Sequence, residues 1–169
     1  MNYSRLLTAL VAILLLFTIA CGNDDVVEQS GWRVRNEEAL KRYFSDNTYG
    51  KLAELTGASD TIAYKILEKG TGRRVLFTDT VNVAYVGKFV NDSVFDTTVG
   101  TQYEYIGRTF GVSSGIIAGW RLALQYMNVG DRWQVIIPWN LGYGEKGTKQ
   151  VPPYSILLFD MQVISIKGE

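Results

Sequence analysis

The chain has 169 residues, 17 Lys and Arg against 17 Asp and Glu, no His, one Cys, 47% hydrophobic residues and 12% aromatics, the profile of one compact domain with an appendage. The missing His and the single Cys exclude zinc sites built on His or paired Cys, Ser-His-Asp and Cys-His nucleophiles, and a redox CxxC pair within one chain. A net charge of zero without a dense basic stripe argues against nucleic acid, so the expected partner is a peptide, a protein or a small molecule.

Met1 to Arg5 carry one positive charge, and Leu6 to Ala20 follow as fifteen residues without any. That run falls below the roughly 20 residues needed to span hydrocarbon as a helix, and it ends at Thr18-Ile19-Ala20-Cys21-Gly22. The segment resembles a bacterial lipobox, with Thr18 where the pattern usually has Leu. The resemblance implies a signal peptide over residues 1–20, cleavage before Cys21, and lipid attachment at Cys21. It places the mature protein in the bacterial cell envelope, lipid-anchored on the periplasmic face or the cell surface, with the outer membrane as the expected membrane. An uncleaved anchor or an ordinary secreted protein are the alternatives. Asn23-Asp24-Asp25 fits either a surface-export signal or a solvated acidic linker.

Residues 21–60 hold five basic and eight acidic residues, net −3, whereas residues 61–169 hold 11 basic and 9 acidic, net +2. Asn36-Glu37-Glu38 opens a run in which Leu40, Tyr43, Phe44, Leu52 and Leu55 are spaced as helix faces, with Gly50 and Gly57 as breaks. One or two short helices are expected in this acidic linker and helical extension, serving as a spacer, a docking helix or a dimerising arm.

From Thr61 the period changes to two. Ile62, Tyr64 and Ile66 alternate, as do Val81, Val83 and Tyr85, and Trp133, Val135 and Ile137. In the last run Leu157, Phe159, Met161 and Val163 share one face, with Asp160 and Gln162 on the other. The helical candidate is Gly119 to Asn128, where Trp120, Leu124 and Met127 fall at i, i+4 and i+7 before Gly130. The pattern predicts an α+β fold, an antiparallel sheet half-wrapped around one short helix. Fifteen of the 21 aromatics lie after residue 60, more than such a core needs, so some should line a pocket.

Asn82-Val83-Ala84-Tyr85-Val86-Gly87, Val94-Phe95-Asp96, Ile116-Ile117-Ala118-Gly119-Trp120, Val129-Gly130, Leu141-Gly142-Tyr143-Gly144, and Val151-Pro152-Pro153 followed by Leu158-Phe159-Asp160 carry a likeness. In order and spacing they resemble the FKBP-type peptidyl-prolyl cis-trans isomerases over about residues 61–167. The resemblance implies a five- to six-stranded antiparallel sheet curled around one helix, an isomerase domain over 61–169, and a shallow apolar pocket. Trp120 would be the pocket floor and Tyr85, Phe95 and Phe159 its walls. The Ile117 N–H and the Tyr143 hydroxyl would hold the bound peptide, and Asp96 would accept hydrogen bonds with Tyr85 as neighbour. Ile116, Val151, and Tyr103 and Tyr105 in the place of a Phe-x-Phe pair would complete the substrate contacts. The implied clients are proline-containing polypeptides, with macrolides as possible pocket ligands and no metal, nucleotide or redox cofactor.

Taken alone, the same residues have plainer uses. Trp120 can be a core anchor, Phe95 and Phe159 core-facing strand residues, Tyr85 a filler of the sheet face, and Asp96 before Thr97-Thr98 a turn or cap residue. Asn91-Asp92-Ser93 lacks the turn glycine usual in the family, and the polar run Gly144 to Gln150 alters the loop that overhangs the pocket. Two functions therefore stand at this point: an isomerase acting on X-Pro bonds of exported proteins, or an FKBP-fold chaperone or binding module of an envelope assembly.

Overall fold

The computed structural model describes residues 23–53, 61–100 and 106–169, so the expected signal peptide over 1–20, Cys21, Tyr103 and Tyr105 lie outside the described residues. The first described element is helix α1, Asn23–Ser45. Half-buried or buried positions recur at Trp32, Asn36, Ala39, Leu40, Tyr43 and Phe44, one stripe at helical spacing. Arg42 stands in the last turn, where a positive charge complements the helix dipole. The helix stops at Ser45, whose hydroxyl donates to the Arg42 carbonyl, and Asp46 turns the chain by accepting the Thr48 N–H at 2.8 Å.

Among the described residues seven antiparallel strands follow: β1 Gly50–Ala53, β2 Thr61–Glu68, β3 Thr80–Lys88, β4 Val94–Thr97, β5 Arg108–Gly111, β6 Arg132–Ile137 and β7 Leu157–Ile166. Their order is β1-β2-β6-β7-β3-β4. Strand β5 shares the β4 edge of β3, pairing Thr80–Val83 while β4 pairs Val86–Lys88. The long alternating run at 157–166 thus becomes a central strand, between β6 and β3.

Helix α2, Ala118–Leu124, lies against the inner face. Trp120, Leu124 and Met127 bury there with Val83, Tyr85, Val135, Ile137, Phe159 and Met161. Gly119 makes the approach possible, since a Cβ at that position would sit 2.4 Å from the Ile137 Cγ2. The opposite face is covered as well. Ala63, Ile136, Ile156 and Leu158 form a second cluster with Ala39, Leu40, Tyr43 and Phe44 of α1. Burying each large aliphatic side chain there contributes about 1.5–3 kcal/mol.

The extension therefore differs from the expectation of one or two short helices in a linker. It is a single 23-residue helix packed on the sheet, and the following Gly50–Ala53 is a strand, which raises the strand number to seven. Polar anchors explain the docking. The fully buried Asn36 side chain accepts the Ile156 N–H at 2.9 Å and donates to the Trp32 carbonyl at 2.9 Å. The Trp32 indole donates to Ser155 Oγ at 3.1 Å, and the Tyr49 hydroxyl donates to Gln134 Oε1 at 2.5 Å. Strand β2 departs from strict alternation for the same reason. Ile62 and Ala63 are both buried between two layers, while Ile66 is 48% exposed.

Candidate functional site

A pocket of about 150 Å³ opens between α2, the inner sheet face and the turn after Leu141. Strand β3 brings Tyr85, β4 brings Phe95 and Asp96, β5 brings Arg108 and Phe110, and β7 brings Phe159. Helix α2 places Trp120 at its base, and Ile116 and Ile117 line the approach to that helix, Ile117 being its extended N-cap residue. Tyr143 enters from the turn beyond the 3-10 segment Trp139–Leu141.

The aromatic rings interlock edge to face. Trp120 meets Tyr85 at 4.9 Å and 88°, Phe159 at 5.2 Å and 80°, and Phe110 at 5.2 Å and 73°. Phe95 meets Phe159 at 5.6 Å and 80°. Such geometry presents ring edges to ring faces and adds to the area term that holds each ring in place. Trp120 is 4% exposed and Tyr85 3%, so closely packed rings form the base of the pocket.

One polar cluster interrupts these walls. The Tyr85 hydroxyl donates to Asp96 Oδ2 at 2.6 Å and accepts from Arg108 Nη1 at 3.2 Å, and Arg108 Nη1 stands 3.7 Å from Asp96 Oδ2. Burial, and then the hydrogen bond to the Asp96 carboxylate, push the Tyr85 phenol well above its ordinary range, with Arg108 opposing. Burial and the Asp96 charge push the Tyr143 phenol upward too. Both hydroxyls are thus held protonated and able to donate. Among the described residues no group of three or more Asp, Glu, His or Cys side chains is placed to hold a metal ion.

The comparisons with known proteins agree with this architecture. Residues 72–164 match the family described as FKBP-type peptidyl-prolyl cis-trans isomerase. The chain belongs to that family. It is 31% identical over 145 residues to the FKBP-type 22 kDa peptidyl-prolyl cis-trans isomerase of Escherichia coli K12, covering 84% of this chain and 66% of the relative. It is 38% identical over 109 residues to the outer membrane protein MIP of Legionella longbeachae, covering 63% of this chain and 44% of that protein. A crystal structure of a peptidyl-prolyl cis-trans isomerase from Pseudomonas syringae superimposes with a TM-score of 0.67 at 25% identity, over 81% of this chain and 93% of that one. The chain thus spans between about half and two-thirds of the length of these two sequence relatives.

Eight of the residues expected in the FKBP-type pocket line it together: Tyr85, Phe95, Asp96, Ile116, Ile117, Trp120, Tyr143 and Phe159. Val151 does not. It is 3% exposed within the main core, its N–H bonded to Thr148 Oγ1 and its carbonyl to the Thr148 N–H, so it shapes the loop from beneath. Arg108 and Phe110 were not expected. Both sit on β5, a four-residue strand with too few alternations to stand out. Their signal was the i, i+2 spacing, which puts both side chains on one strand face. Asp92, within the segment 91–93 that was read as lacking a turn glycine, adopts φ of +64° after β3. Asp tolerates that left-handed region better than most residues.

Proposed function

We propose that the protein is a peptidyl-prolyl cis-trans isomerase acting on X-Pro bonds of exported polypeptides. The observation that carries this reading is the aromatic cup of Tyr85, Phe95, Trp120 and Phe159 with a tyrosine–aspartate–arginine cluster at its side. The cis and trans forms of an X-Pro bond differ by only about 0.5–1 kcal/mol, yet exchange over tens to hundreds of seconds behind a barrier near ~18–20 kcal/mol. No bond is broken and no proton is moved, so the chemistry needs neither nucleophile nor metal.

The barrier falls if the twisted amide is favoured over the planar one. Twisting removes conjugation and much of the amide dipole, so a water-free aromatic cup destabilises the planar ground state relative to the transition state. In this scheme the proline ring rests against Trp120, between Tyr85, Phe95 and Phe159. Tyr143, kept protonated, and the Ile117 N–H hold the flanking carbonyls in a turned geometry. Asp96, fixed by Tyr85 and Arg108, sets the polarity of one wall. Macrolides with a proline-like ring suit the same cup.

The relative named as an outer membrane protein supports a cell-envelope location, with Cys21 as the lipid attachment point. Cys21→Ser should then abolish incorporation of labelled fatty acid. The functional test is the cis-to-trans rate of a Leu-Pro model peptide with residues 22–169, beside Asp96→Ala and Tyr143→Phe. Acceleration that falls in both variants is expected. No acceleration by folded protein would overturn the enzymatic reading and leave a binding module.

A further inference from the structure

We propose that Trp32, on a helix outside the catalytic sheet face, is a positioning residue of the pocket, fixing the Phe95 wall through Phe89. Phe95 needs such support. Its strand β4 is four residues long, lies at a sheet edge, and pairs with β3 only over Val86, Gly87 and Lys88, with a register shift between the last two. Short edge strands with interrupted ladders belong to the least stable parts of a fold. The backbone alone therefore holds the ring loosely.

Side chains supply what the ladder lacks. Phe95 stacks on Phe89 with centroids 4.8 Å apart and planes at 29°. Phe89 is 8% exposed, and Trp32 stands edge-on to it at 5.5 Å and 84°. Trp32 is itself anchored, its indole N–H donating to Ser155 Oγ, which donates onward to the Pro152 carbonyl at 2.7 Å. A continuous row of rings, Trp32, Phe89, Phe95 and Phe159, thus runs from α1 into the pocket. The same helix grips the loop that follows Tyr143. Arg33 lies 4.2 Å over the Tyr154 ring and Asn36 accepts the Ile156 N–H. Removing Trp32 leaves a void behind Phe89, which tilts toward it and lets the Phe95 ring withdraw from the substrate.

The inference rests on the isomerase reading for its kinetic consequence, so its test has an arm that needs no turnover. Trp32→Ala, Trp32→Phe and Phe44→Ala are compared at matched folded fraction. Phe44 serves as the control because it packs α1 onto the sheet in the outer cluster, whereas Phe89 and Trp32 belong with the inner one. Misplacing a pocket wall by part of an ångström should lower kcat/KM of Trp32→Ala by about tenfold, with Trp32→Phe restoring most of it and Phe44→Ala unchanged. In the second arm, the Phe95 ring proton resonances, assigned by their loss in Phe95→Leu, should shift in Trp32→Ala and stay in place in Phe44→Ala. Unmoved Phe95 resonances, or equal rate losses in Trp32→Ala and Phe44→Ala, would overturn the proposal. If the wild type shows no turnover but the resonances move as described, the isomerase reading fails and the positioning of Phe95 stands.

Discussion

Gly87 lies on β3 directly beneath the Phe95 and Phe159 rings. A Cβ there would stand 2.8 Å from Phe95 Cζ and 2.8 Å from Phe159 Cε1. Carbon atoms in good contact are about 3.5–4.0 Å apart, so in Gly87→Ala each ring has to withdraw by roughly 0.7–1.2 Å. Gly87 has no positive φ, so alanine fits its backbone and the effect falls on the rings. Overpacking of this kind costs about 1–3 kcal/mol, which lowers Tm by roughly 3–10 °C for a chain of this size. The same displacement moves two pocket walls by about an ångström and should reduce kcat/KM for a Leu-Pro peptide about 10- to 100-fold. Thermal unfolding and the cis-to-trans rate are measured on Gly87→Ala and on Gly87→Ala combined with Phe95→Leu. The double variant relieves half of the clash, so it should recover stability without recovering rate, a non-additive result expected of touching side chains. A Gly87→Ala protein with unaltered Tm and rate would refute the claim that the two rings are pinned against the β3 backbone.

Further outcomes follow from the same contacts. The Tyr85 phenol, raised above its ordinary value of 10.0 by burial and by Asp96, binds its proton more tightly folded than unfolded. Its contribution is therefore intact below pH 10 and is lost as pH rises beyond it; urea titrations from pH 6 to 11 should show a flat region and then a decline that is shallower in Tyr85→Phe. Tyr85→Phe should also lower the isomerisation rate below pH 9, because Asp96 loses its 2.6 Å donor, and an unchanged rate would remove that hydrogen bond from the mechanism. Asn36→Ala strands the buried Ile156 N–H and should destabilise by about 1–3 kcal/mol in denaturant unfolding, whereas Arg35→Ala on the exposed side of α1 should change little. Removing residues 22–60 exposes Ala63, Ile136, Ile156 and Leu158 and takes away β1, so this truncation should aggregate on purification; a soluble, cooperative fragment would show that α1 is dispensable for folding.

Three pocket residues were legible because they sit on elements with a strong period, whereas Phe95, on the four-residue strand β4, and Tyr143, in a turn, were reached only through the family resemblance. Tyr85 lies in an alternating strand, Trp120 opens an i, i+4, i+7 series, and Phe159 belongs to the longest alternating run. Arg108 and Phe110 escaped because four residues carry almost no periodicity. Helix α1 was underestimated for a different reason. Its inward stripe has Asn36 at the centre, a polar residue that breaks the apolar pattern and reads as a helix start, although its side chain is a buried anchor to a backbone amide 120 positions away. The sheet was expected to bury one face, and the second buried face depends on Ile136 and Leu158, which sit between residues of the inner face and blur the alternation. Sequence separation, rather than weak chemistry, hid the docking.

Strand β7 occupies the middle of the sheet and is the last of the described strands, while α1, the first described element, is pinned to Ser155 and Ile156 just ahead of it. A polypeptide emerging amino end first from a ribosome or a translocation channel therefore cannot assemble this domain progressively. β6 and β3 have no shared partner until β7 is out, and α1 lacks its polar anchors at Ser155 and Ile156 before then. During that interval the apolar strands are exposed together, which makes the arrival of β7 the committing event of folding and couples it to topology-limited, slow closure. The domain would itself pass through a long unassembled stage, its apolar strands open to capture by holdase chaperones until β7 pairs.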